Sequence, residues 1–152
     1  MAGRTNVGVD TPQMEAFREL MRAEDALRRR FDRELMEERG LSLTEYLVLL
    51  TLRYAPDGCL SVGALPGEVP LTRSGVTRLI DRMEAAGTVE RVAAPADRRT
   101  VRAAITEHGR DELRKAWPIH RRGIDQHFGA YLSDAEAVTL RDLLRRFVPE
   151  PC

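Results

Sequence analysis

The segment over residues 72–106 predicts an amphipathic helix followed at once by a β-hairpin, and this order constrains the fold more than any other feature of the chain. Thr72 is a favourable N-cap for a helix over residues 73–86. Two runs with the composition of strands follow, over residues 88–94 and 100–106, and a five-residue loop separates them. The sequence therefore predicts a helix that leads directly into a two-stranded antiparallel ribbon.

The predicted helix has two unlike faces. Its apolar side is formed by Val76, Leu79, Ile80 and Met83, which anchor it to a core. The opposite side is polar, with short hydroxyl donors and arginines but few acidic groups. Serine and threonine hydroxyls can bind a base or a phosphate, and an arginine can bridge the two acceptors of guanine. The residues predicted to contact DNA from this helix are Thr72, Arg73, Ser74, Thr77, Arg78 and Arg82.

The hairpin loop carries two adjacent arginines, Arg98 and Arg99, within the stretch PADRRTV. A hairpin tip with two guanidinium groups can enter a minor groove, where the potential is most negative. Asp97 repels phosphate, so we expect it to orient one guanidinium rather than to contact DNA. Taken alone, the loop fits a solvated charged turn equally well. Because it directly follows the polar helix, a DNA-contacting wing is the favoured interpretation.

Helices are predicted on both sides of this centre. Residues 11–39 have apolar side chains at spacings of three and four, and Gly40 has the position of a C-cap. Ser42 and Glu45 form a capping box for a helix to Tyr54, which is expected to bury Leu43, Tyr46, Leu47 and Leu50. Residues 61–69 fit a short helix in length, although Gly63, Pro66 and Gly67 disfavour it. Residues 107–131 are predicted to form a long helix that Pro118 should kink or break. Ser133 and Glu136 form a second capping box, which begins a last helix over residues 133–148.

These elements predict a mainly α protein with a small β-hairpin wing. A single domain of residues 1–152 contains a winged helix-turn-helix DNA-binding region over residues 42–106. The helices over residues 11–39 and 107–148 carry long apolar stripes with no evident partner in so small a domain. A homodimer built from both ends of the chain would bury them.

Composition excludes several other classes of protein. The chain has 152 residues, no formal net charge at pH 7 and 43% hydrophobic residues, which is typical of one ordinary globular domain. No apolar run approaches the length of a membrane span, and the N-terminus lacks a signal-peptide core, so the cytoplasm is the expected location. Between Leu71 and Arg102, however, seven arginines and four acidic residues give a local excess of positive charge. We find no catalytic motif, so no enzyme and no cofactor is predicted.

Cysteines and histidines indicate no metal site. Cys59 and Cys152 have no metal or disulfide spacing, and Cys59 fits a structural thiol better than a redox sensor. His120 and His127 lie seven apart on one helical face, and His108 is near a helix start. Zinc needs three or four converging ligands, so we expect these histidines to lie on the surface.

Residues 43–109 resemble the MarR family of bacterial transcriptional regulators. The resemblance rests on the segments LSLTEYLVLL, LTRSGVTRLIDRMEAAGTVER and ADRRTVRAAITEHGR. It implies a homodimer that binds double-stranded DNA at a pseudo-palindromic operator, with the polar helix in the major groove and the wing in the minor groove. It also implies a repressor that a small ligand, often aromatic or phenolic, releases from DNA.

The resemblance leaves alternatives open. An activator or a redox-responsive regulator has the same fold, although the usual redox cysteine near the start of the first helix is absent. A winged helix used only for protein contacts is a further alternative, but a lost DNA face would not be expected to retain Arg73, Arg78, Arg98 and Arg99. The family's ligand cleft would lie near Tyr46 and Trp117, which are equally good core residues, so no ligand-binding residues are assigned. Pro66, Gly67 and Pro70 depart from the family pattern and question the length of the short helix.

Overall fold

The computed structural model describes residues 11–65, 72–93 and 101–147. Within these ranges five α-helices and three strands follow one another. In chain order they are α1 (Pro12–Arg39), α2 (Leu43–Tyr54), β1 (Cys59–Ser61), α3 (Arg73–Ala85), β2 (Val89–Ala93), β3 (Val101–Ile105), α4 (Glu107–His127) and α5 (Asp134–Arg145). Single 3₁₀ turns lie at Pro56–Gly58 and Gly129–Tyr131. The predicted mainly α architecture with a small sheet is confirmed.

Local capping sets the helix boundaries where the sequence predicts them. The Thr11 hydroxyl accepts a hydrogen bond from the amide of Met14 at the start of α1. Gly40 ends α1 with φ +63°, a left-handed conformation that glycine adopts at little steric cost. Both predicted capping boxes are present, Ser42 with Glu45 at α2 and Ser133 with Glu136 at α5. These signals depend on neighbours within one turn, so they can be recognised without the tertiary structure.

The sheet has one strand more than predicted. All three strands are antiparallel in the order β1-β3-β2, and β1 aligns Cys59 with Ala104 and Ser61 with Arg102. The predicted helix over residues 61–69 is wrong at its start, because Ser61 ends a strand and Val62–Ala64 form a turn. Residues 66–69 of that prediction lie outside the described residues. The β1 backbone satisfies hydrogen-bonding groups on the second edge of β3, which a two-stranded hairpin would leave unpaired.

The core lies where α2 and α3 meet the sheet and the middle of α4. The buried residues of α2 are Leu43, Tyr46, Val48, Leu49 and Leu52, whereas Leu47 and Leu50 are only partly buried. The predicted apolar side of α3 is confirmed, because Val76, Leu79, Ile80 and Met83 are all at most 4% exposed. Because α2 packs against α1, α4 and the sheet, its buried surface is wider than the single stripe that periodicity indicates.

At the outer end of β3, Val101 departs from the predicted inward orientation. Ala103 and Ile105 are buried as expected, but Val101 is 45% exposed. It is the first residue of β3 and pairs with Ala93, the last residue of β2. Ala93 is exposed as well, so this last pair of the ladder lies at the solvent-exposed end of the sheet.

Helix α4 continues through Pro118 and is not broken there. Its central part packs against α1 with little space, because a Cβ on Gly123 would lie 3.0 Å from the ring of Phe31 and 2.8 Å from a carboxylate oxygen of Glu34. The expectation that the histidines of α4 lie on the surface is wrong. The His120 ring lies between those of Phe31 and Tyr46, at centroid distances of 5.1 and 4.7 Å.

Both histidines of α4 are partly buried. His127 is bound to Glu34, with 22% of the histidine side chain exposed. Burial lowers the pKa of His120, because the charged imidazolium loses its hydration there. Within the described residues, no three histidine, cysteine or acidic side chains are placed to hold a metal ion.

The outer helices leave large apolar side chains exposed. The first half of α1 exposes Met14, Phe17, Leu20 and Met21 by 38–62%. The C-terminal part of the described chain exposes Ile124, Phe128, Tyr131, Val138, Leu143 and Phe147. In the described ranges, no helix is long and apolar enough to cross a membrane.

Candidate nucleic-acid interface

Helix α3 presents a polar face away from the core. Thr72 is its N-cap, and the Thr72 hydroxyl accepts a hydrogen bond from the amide of Gly75 at 3.2 Å. The first turn holds no acidic residue, so the amides and dipole at this end favour a phosphate group. The exposed residues that we call the polar face of α3 are Ser74, Thr77, Arg78, Asp81 and Arg82.

The described structure places most of the predicted helix contacts together. Thr72 and Ser74 lie side by side, with their hydroxyl oxygens 3.3 Å apart. Thr77 and Arg78 follow on the same exposed surface, one turn further along the helix. Arg73 begins α3, but its side chain lies outside the described residues. This arrangement offers hydroxyl and guanidinium donors along one helical edge, as contact with base edges and phosphates requires.

Arg82 is connected to another element of the protein. Its Nε atom donates to Oε1 of Glu45 at 3.1 Å, while 64% of the Arg82 side chain is exposed. The other oxygen of Glu45 accepts from the amide and hydroxyl of Ser42 in the α2 capping box. The start of α2 is thereby connected to the second half of α3. This contact joins residues 37 positions apart and has no signal in the sequence.

Arg91 is a residue of this region that sequence reasoning missed. It lies on β2, and its guanidinium binds both Asp81 and Glu84 of α3. Val89 and Arg91 are on the same face of β2, because alternate residues of a strand share a face. An arginine beside a buried valine was therefore a usable signal for a partner on the adjacent helix.

The hairpin is described up to its last ladder pairs. β2 and β3 align Arg91 with Ala103 and Ala93 with Val101, so the predicted antiparallel pairing is confirmed. Asp97, Arg98 and Arg99 lie outside the described residues. The wing-tip contacts remain a prediction from the sequence.

A groove between α2 and α4 lies on another side of the protein. It has a volume of about 570 Å³. The expectation that both aromatic residues near it belong to the core is correct for Tyr46, which is fully buried, and wrong for Trp117, which is 47% exposed. The groove is lined by Leu50, Arg53, Tyr54, Glu107, Arg110, Leu113, Arg114 and Trp117.

Two further titratable side chains, Tyr46 and Cys59, are buried. Burial raises the pKa of Tyr46 to about 12, because the phenolate would lose its hydration in the core. Cys59 is a buried free thiol, 5% exposed, which agrees with the expected structural role.

Comparison with known sequences identifies the same region. A model of the MarR family matches residues 39–100. The HTH-type transcriptional regulator MhqR of Bacillus subtilis is 31% identical over 111 residues, which are 73% of this chain and 74% of MhqR. The transcriptional repressor MprA of Escherichia coli is 26% identical over 76% of this chain, and the chain spans 65% of the length of MprA.

Solved structures of similar fold include a complex with DNA. Sco3205, a MarR family transcriptional regulator from Streptomyces coelicolor solved with DNA, has a TM-score of 0.83 and 25% identity, covering 95% of this chain and 91% of Sco3205. BpsR of Bordetella bronchiseptica, whose DNA binding is regulated by 6-hydroxynicotinic acid, has a TM-score of 0.78 and 25% identity, covering 92% and 97%.

The polar helix, the hairpin and these similarities define a winged-helix DNA-binding transcriptional regulator. Members of this class regulate transcription and are not enzymes, so the absence of a catalytic motif in the sequence agrees with its function. The chain belongs to the MarR family.

Proposed function

We propose that this regulator is a homodimeric repressor that binds a pseudo-palindromic operator and leaves it when a small aromatic ligand binds. Each protomer docks α3 in the major groove and the wing in the adjacent minor groove. Residues 42–106 form the DNA-binding region, and residues 11–39 and 107–148 the dimerisation helices. The DNA contacts are Thr72, Arg73, Ser74, Thr77, Arg78, Arg82, Arg98 and Arg99.

The polar face of α3 is the observation that carries the DNA contacts. Its anchor is rigid, because the opposite face of the helix is buried against the core. Asp81 on this face and the neighbouring Glu84 are bound by Arg91, and Glu45 is bound by Arg82. Arg78 lies exposed on the polar face, where it can reach a guanine edge or a phosphate.

Fluorescence anisotropy on the upstream intergenic DNA of its own gene tests these contacts. We expect the wild type to bind in a salt-sensitive manner. Arg78→Ala should lose roughly 1–3 kcal/mol of binding free energy relative to the wild type, and the Arg98→Ala/Arg99→Ala variant should also bind more weakly than the wild type. Arg22→Ala is the matched control, because it removes one exposed arginine from α1. Equal binding by all four proteins would contradict the proposed contacts.

Exposed apolar side chains on the outer helices support the homodimer. Phe17 on α1 is 62% exposed and Leu143 on α5 is 42% exposed, and these helices carry charged residues on their other faces. Sedimentation of the wild type at micromolar concentration should give the mass of a dimer. A Leu143→Asp variant should dissociate, because a dimer interface cannot bury an unpaired carboxylate without a large cost. A monomeric wild type would contradict the proposal.

The groove between α2 and α4 supports release by a ligand. Its volume suits a small molecule, and its lining combines the aromatic rings of Tyr54 and Trp117 with three arginines and one glutamate. An aromatic carboxylate or phenolate has the complementary shape and charge. The repressor role itself is supported by the similarity to MprA.

The single tryptophan of the chain makes the ligand experiment direct. Trp117 lies in the groove, so an aromatic ligand that enters should quench the intrinsic fluorescence. 6-Hydroxynicotinic acid and salicylate serve as probes, and anisotropy of the DNA complex reports release. Arg110→Met should weaken both signals, whereas Arg22→Met should change neither. If quenching occurs but the DNA stays bound, the ligand is not an effector.

A further inference from the structure

Arg91 connects the polar helix to the first strand of the hairpin. Its Nη2 atom donates to Oδ1 of Asp81 at 2.5 Å, and its Nη1 atom donates to a carboxylate oxygen of Glu84. The backbone amide of Arg91 also donates to Glu84, at 3.3 Å. One residue of β2 therefore makes three hydrogen bonds to two acidic residues of α3.

The two acidic residues lie at a sensitive place. Asp81 follows Thr77 and Arg78 by one helical turn, so its carboxylate lies on the polar face of α3. An uncompensated carboxylate there would repel DNA phosphates. The Asp81 side chain is 60% exposed, whereas that of Arg91 is 28% exposed. The guanidinium therefore binds Asp81 from the strand side and compensates the charge of a carboxylate that is largely exposed.

The same contacts define the direction of the wing. Arg91 pairs with Ala103 in the middle of the β2–β3 ladder, and the ladder continues to Ala93 and Val101. The loop with Arg98 and Arg99 follows within a few residues. A change in the angle between α3 and β2 would displace this loop relative to the helix, and both must meet DNA together.

We propose that Arg91 is a positioning residue for DNA binding, which fixes the hairpin to the recognition helix and neutralises Asp81 without contacting DNA itself. The inference rests on the proposed docking of α3 and the wing. Hydrogen bonding to Asp81 raises the pKa of Arg91 further above its already high value, so the guanidinium is charged at neutral pH.

A double-mutant cycle tests the role of Arg91. The proteins are wild type, Arg91→Met, Arg91→Lys, Asp81→Asn and the two combinations of Asp81→Asn with a variant of Arg91. The probe is a fluorescent duplex recovered by the wild type from a random pool, titrated over a salt series. Thermal unfolding of each variant is measured in parallel, and Arg22→Met is the matched arginine control.

We expect Arg91→Met to bind about tenfold more weakly than wild type, with Arg91→Lys between them because one ammonium can serve only one carboxylate at a time. In the Asp81→Asn background, the loss from either Arg91 variant should shrink, because one of the two acidic partners of Arg91 is already absent. The salt dependence should keep the wild-type slope, since no phosphate contact is removed. If Arg91→Met does not fold, the cycle with Arg91→Lys provides the same test.

Other results would overturn the inference. Wild-type affinity in both Arg91 variants would show that the connection does not matter for DNA binding. A loss that is equal with and without the Asp81→Asn substitution, together with a salt slope reduced by about one, would show that Arg91 contacts a phosphate directly. Failure of the wild type to recover any duplex would instead refute the proposed docking.

Discussion

Gly109 is the position at which a single methyl group should do the most damage. It lies in the first turn of α4, where an added Cβ would be 2.1 Å from the carbonyl oxygen of Thr88 and 3.0 Å from a side-chain carbon of Ile105. Ordinary contacts begin near 3.4 Å, so α4 and the turn before β2 must separate by more than 1 Å. The nearest atom belongs to the backbone, which cannot rotate away.

The separation would disturb three further hydrogen bonds. The amide of Thr106 donates to the Thr88 carbonyl at 3.2 Å. The Thr106 hydroxyl donates to the carbonyl of Gly87 at 2.7 Å and accepts from the amide of Gly109 at 3.0 Å. Gly109→Ala therefore strains the N-cap of α4 as well as the packing.

The free energy of unfolding should fall by roughly 1–3 kcal/mol in Gly109→Ala. Overpacking costs roughly 1–3 kcal/mol and a weakened hydrogen bond about 1 kcal/mol, while alanine regains about 1 kcal/mol of helix propensity. For a chain of 152 residues this corresponds to a decrease in Tm of about 2–12 °C. Thermal unfolding followed by circular dichroism, at one protein concentration, measures the shift.

Gly63→Ala is the matched control for Gly109→Ala. Gly63 lies exposed in a turn, and the nearest atom to an added Cβ is the Ser61 hydroxyl at 3.6 Å, which is ordinary contact. We expect a change within about 0.5 kcal/mol. A Gly109→Ala protein as stable as wild type would refute the reasoning, because propensity alone predicts stabilisation and only the contact with Thr88 predicts the opposite.

Three further outcomes are expected. Burial lowers the pKa of His120, so on acidification the unfolded chain binds a proton before the folded protein does. The free energy of unfolding should therefore fall as the pH falls below about 6.5. Urea titrations at several pH values should show a shallower fall in His120→Gln than in the wild type. Hydrogen bonding to Arg39 lowers the pKa of Glu112. The contribution of this pair to the free energy of unfolding should be lost as the pH falls below 4.5, the usual pKa of a glutamate. Glu112→Gln should cost roughly 1–2 kcal/mol in a urea titration at neutral pH. Thr72→Ala removes the N-cap of α3, so it should lower the free energy of unfolding by about 1 kcal/mol in thermal unfolding and also weaken DNA binding. An unchanged melting temperature would contradict the capping role.

The features that sequence alone predicted are those encoded by near neighbours in the chain. The predicted N-caps Ser42, Thr72 and Ser133 each accept a hydrogen bond from an amide three residues later, and the predicted C-cap Gly40 has the left-handed conformation. A hydrogen bond across one turn depends only on a few consecutive residues, so its signal is local. The two faces of α3 follow from the helical period in the same way, and burial confirms the apolar one.

Other features required the tertiary structure, because they join residues that are distant in the chain. β1 pairs with a strand more than 40 residues later, and three residues are too few to show a strand pattern. The histidines of α4 were expected on the surface, but whether a polar ring is covered depends on which helix lies opposite, and α1 and α2 cover His120. The exposure of Trp117 was missed for the same reason.

The predicted interface shows both kinds of information. The types and spacing of Ser74, Thr77 and Arg78 could be read from one helical period, because a single helix presents them together. The ion pairs of Arg82 with Glu45 and of Arg91 with Asp81 could not, since each charge has several possible partners in a chain with 24 acidic and 24 basic residues. Local periodicity determined which side chains face outward, and only the packing of distant elements decided which of those charges are compensated.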